Sequence, residues 1–83
     1  MGKAGQALRQ VLEAYEISQN KLAVVMGIGR STMHYWFNDM RDPSAEAVLE
    51  IRKGLRKINP TAAEEFIRLY LDELDEDEVQ EEG

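Results

Sequence analysis

Between positions 30 and 38 the chain places a guanidinium, a hydroxyl, an imidazole, a phenol and a carboxamide: Arg30, Ser31, His34, Tyr35 and Asn38. At ~100° per residue these fall together on one side of a helix, while Met33, Trp36, Phe37 and Met40 fall on the other. Such a face recognises a partner through hydrogen bonds and charge; it is poorly equipped to break bonds. His34 is the only histidine, with no carboxylate pair beside it and no second ligand at metal-site spacing. The acids near the C-terminus lack the alternating pattern of a calcium loop, and no glycine-rich phosphate loop is present. Neither catalysis nor a cofactor is expected, and no small-molecule substrate is evident.

A helix that displays such a face needs support. Ser18 stands where an N-cap would start a preceding helix, with Leu22, Val25 and Met26 as its apolar side. Gly27 follows where a helix end requires a left-handed residue, a conformation glycine adopts without steric cost. Ile28 returns to the core, Gly29 stands at the N-cap of the recognition helix, and Ala23 is small enough for the two helices to cross closely.

Gln19, Lys21-Leu22-Ala23, Met26-Gly27-Ile28, Arg30-Ser31-Thr32-Met33, Trp36 and Pro43-Ser44 together resemble the lambda-repressor/Cro (Xre-type) helix-turn-helix family, over roughly residues 6–59. The resemblance implies an all-α bundle of about five helices that lays its third helix in the major groove of duplex DNA. It further implies base contacts from Arg30, Ser31, His34 and Tyr35, and backbone contacts from Gln19, Thr32, Asn38 and the loop near Arg41. Physical chemistry agrees at two of these positions. Arg30 opens the helix, where its fork can reach guanine O6 and N7, and Gln19 lies beside the free N–H groups that begin the preceding helix, a setting suited to phosphate.

Two departures from the family pattern stand out. Gly29 replaces the usual Ser or Thr cap, a cost of about a few tenths of a kcal/mol. Leu12 and Phe37 occupy positions where related phage repressors often bury an Arg–Glu pair. Losing both charges together leaves neither stranded, so the two residues are expected to meet in the core.

The chain has 83 residues, enough for one small domain with a marginal core. With no cysteine there are no disulfides. No apolar run nears the ~20 residues that span a bilayer, and the opening MGKAGQ lacks a signal-peptide core, so a cytoplasmic location without membrane association is expected. The net charge of −6 is unevenly spread. Up to Pro60 there are nine bases and six acids; from Thr61 onward ten acids face Arg68 alone. The first part is mildly basic and the second strongly acidic.

In order along the chain, a first helix is expected near Gln6 to Tyr15 with Leu8, Val11, Leu12 and Tyr15 buried. A fourth, capped by Ser44, runs to about Ile58 with Val48, Ile51, Leu55 and Ile58 inward; Lys53, Arg56 and Lys57 form its solvated side. Residues 1–59 make the DNA-binding domain. Asn59-Pro60 starts a C-terminal helix over 60–75, whose Phe66, Ile67, Tyr70 and Leu74 offer a stripe for a homodimer. Phe66 and Tyr70 folding back onto the monomer's own core is the alternative. Residues 76–83 are read as an acidic, disordered tail.

These features predict a sequence-specific DNA-binding transcriptional regulator, prokaryotic or phage, acting as a repressor. Two alternatives fit the same residues: an antitoxin whose acidic tail binds a basic toxin, and a helix-turn-helix fold used as a protein-interaction adaptor.

Overall fold

The computed structural model describes residues 3–38 and 40–82, with side chains described as far as Asp72. Five helices follow one another: α1 Lys3–Ala14, α2 Gln19–Met26, α3 Arg30–Phe37, α4 Ala45–Ile58 and α5 Pro60–Glu82. Among the described residues there is no strand, and the chain is an all-α bundle.

The helix boundaries are local chemistry. The Ser18 hydroxyl accepts from the Lys21 amide at 3.0 Å, and the Ser44 hydroxyl from the Ala47 amide at 3.1 Å. Both are N-caps of the kind worth about 1 kcal/mol. The Asn59 side chain accepts from Thr61 N–H at 3.0 Å, so Pro60 enters the first turn where it has no N–H to lose. α1 is capped from afar: the Asp42 carboxylate, on the loop between α3 and α4, accepts from Gly5 N–H at 2.8 Å.

The core is drawn from every helix. Leu8, Val11 and Leu12 of α1, Leu22 and Ala23 of α2, Met33 and Trp36 of α3, Val48, Ile51 and Leu55 of α4, and Ala62, Ala63 and Phe66 of α5 are all buried. α5 packs against both α1 and α4 and closes the bundle. α2 and α4 approach closely at Gly54, where an added Cβ would stand 2.7 Å from Met26 Cγ and 3.1 Å from Leu22 Cδ1.

Phe66 corrects the sequence expectation. It is fully buried inside the monomer and not available as a dimer surface. Ile67 and Tyr70 are half-buried against the same core, and the Leu74 side chain lies outside the described residues. The reason is geometric: an α5 that turns back at Asn59-Pro60 lays its first apolar turns across the gap between α1 and α4. Met40 also departs from its expected apolar face, being 67% exposed. α3 ends at Phe37, so the helical period that would carry position 40 inward stops short of it.

Helical backbone continues through 76–82, where charge patterning leads one to expect a disordered tail. Extending a formed helix costs far less than nucleating one. Gly83 and Asp39 lie outside the described residues.

Candidate nucleic-acid interface

α2 ends as the turn chemistry demands. Gly27 has φ 74°, and its N–H donates to the Ala23 and Val24 carbonyls at 2.9 and 3.1 Å. Ile28 N–H also donates to the Ala23 carbonyl, at 3.1 Å. This closed turn satisfies the last carbonyls of α2 and sets Ile28 against the core. Gly29 then starts α3 from an extended backbone with no side-chain cap.

α3 divides cleanly. Met33 and Trp36 are buried, and Phe37 is half-buried against the core. Arg30, Ser31, Thr32, His34, Tyr35 and Asn38 are exposed, as every base-contact candidate has to be. A groove runs between α2 and α3, lined by Gln19, Asn20, Ala23, Arg30, Met33 and His34. It brings Gln19, a backbone-contact candidate, beside Arg30 and His34, two base-contact candidates. The small Ala23 at its floor is what lets the helices cross this closely. Asn20 was not among the expected contacts; its place beside Gln19 in the first turn of α2 is the signal that marks it.

The far end of α3 is held by its own side chains. Asn38 Nδ2 donates to the His34 carbonyl at 2.9 Å and lies 3.0 Å from His34 Nδ1. The carbonyl contact requires the amide nitrogen there, so the tautomer that fits this bond accepts at Nδ1 and keeps Nε2 as a donor. Asn38, expected to touch the DNA backbone, spends its amide on His34. Tyr35 is 40% exposed, with the Arg41 guanidinium 5.8 Å from its ring centroid. Its carbonyl accepts from Met40 and Arg41 N–H at 2.9 and 3.3 Å, which folds the following loop back over the helix end. Thr32 is exposed beside Ser31.

Arg9 supplies a contact that sequence reasoning missed. Leu12 is buried and Phe37 packs on the same core, but the Arg9 guanidinium stands 5.1 Å from the Phe37 ring centroid. The charge on α1 lies one turn before Leu12 and rests on an aromatic face. Among the described residues no group of His, Asp or Glu is arranged to hold a metal.

Two helices crossing through a glycine turn, the second buried on one side and offering donors on the other, define a helix-turn-helix. The helix-turn-helix family model matches residues 8–62, and the chain belongs to that family, in its lambda-repressor-like, Cro-type form. It is by this membership a DNA-binding helix-turn-helix regulator. No curated protein and no solved structure matches it.

Proposed function

We propose that the chain is a transcriptional repressor that reads a particular duplex sequence with the exposed face of α3. The observation that carries this is the groove joining Gln19 to Arg30 and His34. It sets a phosphate-directed amide at the start of α2 next to a guanidinium and an imidazole, so one duplex can meet all three at once. In this reading Arg30 forks onto guanine O6 and N7, and His34 donates from Nε2 to a base-edge acceptor. Ser31 and Tyr35 complete the face, while Gln19, Thr32 and Arg41 hold the backbone.

Selection of bound fragments from random duplex DNA tests the reading. Enrichment of one sequence that Arg30→Ala relaxes at a single base pair supports it. Retention of all sequences alike, or of none, defeats it.

A further inference from the structure

A second groove lies at the closing turn of α2, where Val25 and Met26 meet Glu50, Lys53 and the Arg56-Lys57 pair of α4. Gly54 brings the two helices this close, since an added Cβ would stand 2.7 Å from Met26 Cγ. At ~100° per residue Leu49, Lys53 and Arg56 share one outward stripe of α4, with Glu50 and Lys57 between that stripe and α2. Leu49 is 54% exposed, and Val25 and Met26 are only half-buried. The floor is therefore apolar and the rim cationic. Glu50 lies 3.6 Å from Lys53 and offsets part of that lysine's charge. Among the described residues no carboxylate pairs with Arg56 or Lys57, on a chain whose formal net charge is −6.

This combination separates two classes of anionic partner. A phosphate backbone takes cations and amide donors and has no use for an apolar floor, and a carboxylate on the rim repels it. The groove also stands about 10 Å along α2 from the one that joins Gln19 to Arg30, which belongs to the opening turn. A helix of a partner protein answers both features at once. Its apolar side chains, three and four residues apart, fill the floor, and carboxylates on its flanks reach the rim. Met26 suits such a seat, because an unbranched thioether re-packs around whatever side chain arrives. At about 320 Å³ the groove is at the low end of small-molecule pockets and takes a few side chains rather than a whole ligand. From Leu49 to Lys57 the stripe runs about 12 Å, a little over two turns of a helix laid along it.

We infer that the α2–α4 groove docks an acidic amphipathic helix of a partner protein. That helix is apolar on the side facing Val25, Met26 and Leu49, and bears carboxylates toward Lys53, Arg56 and Lys57. The α2–α3 groove stays open to its own partner, and the inference does not rest on the repressor reading.

The test titrates the full chain into a fluorescein-labelled synthetic peptide of ~15 residues, about four turns of helix, with leucines three and four apart and glutamates elsewhere. Fluorescence anisotropy reads the binding. The expected result is saturable binding that Arg56→Gln/Lys57→Gln weakens about tenfold, and that Leu49→Ser weakens severalfold. All three side chains are exposed, and circular dichroism checks that the variants remain helical. Replacing the leucines of the peptide by serine should abolish binding, which bare charge attraction would not do. Binding that survives both variants, or a serine peptide that binds as well as the leucine one, overturns the inference. The other occupants have their own signatures. A random-sequence duplex that displaces the peptide, and itself loses affinity with Arg56→Gln/Lys57→Gln, would make the groove a phosphate track. A chain dimer that the peptide splits into monomers by light scattering would give the groove to a second copy. Either outcome overturns it.

Discussion

α3 and the first turns of α5 are both amphipathic helices with aromatic residues on one side and charge on the other, yet they end in opposite situations. α5 closes on itself. Phe66 and two alanines are buried, and the guanidinium of Arg68 is taken up by Glu65 and, at 2.8 Å, by Asp72. α3 buries Met33 and Trp36 but leaves Arg30, Ser31, Thr32 and His34 at the surface. What side-chain bonding it has, from Asn38 to His34, fixes an imidazole without covering it. An amphipathic pattern alone therefore does not say which face meets a partner. The state of the polar face does: satisfied within the chain on α5, held ready on α3.

If that contrast is right, damage to α5 should appear as lost stability and damage to α3 as lost binding. Phe66→Ala should show the largest effect. Removing a fully buried phenyl costs about 3–5 kcal/mol, enough to unfold much of a domain this small. Urea titration followed by circular dichroism measures it; a midpoint close to that of the parent chain would mean that Phe66 is not a core residue. Arg30→Ala should leave that midpoint alone and cost about 1–3 kcal/mol in binding at the preferred site. Gln19→Ala should weaken all sequences evenly in the same titration.

Asp42→Ala comes next, at about 1 kcal/mol of stability, since it removes the cap on Gly5 N–H. Arg9→Ala should cost about 0.5–1 kcal/mol, the range of an exposed cation over an aromatic ring. The smallest effect is a pH dependence on α5. The hydrogen bond from Arg68 holds the Glu65 carboxyl below its usual range; desolvation opposes it and the Arg68 charge adds to the lowering. A depressed folded value means the contribution is present above the ordinary carboxylate range and fades as pH falls through the lowered one. Thermal melts of Glu65→Gln and parent should then converge at acid pH; a gap that persists there would show that the residue acts through something other than its charge.

The legible parts of the fold were the local ones. Ser18, Gly27, Ser44 and Asn59 act within three or four residues of themselves, so spacing alone is enough to read them. The two-sided character of α3 was legible for the same reason. Phe66 was not, because a stripe of apolar residues looks the same whether its cover is α1 and α4 or a second molecule. Arg9 over Phe37 and Asp42 at Gly5 were invisible on other grounds: each joins residues far apart in the chain, with no periodicity to announce them. Within the site, the bond from Asn38 to His34 was not legible, since it depends on the rotamers the two side chains adopt.

The bond from Asp42 to Gly5 ties the first turn of the molecule to the loop that leaves α3, one residue beyond Arg41. Whatever steadies that loop must also slow the opening of the first turn, because the two share a donor and an acceptor. The Gly5 amide is thus a built-in reporter. Its hydrogen–deuterium exchange should slow on adding duplex DNA if Arg41 holds the backbone as proposed, although the amide itself lies on another helix. The same coupling runs in reverse. A fusion that frays α1 would loosen the loop, and the extreme N-terminus is the wrong place to attach an affinity tag on this protein.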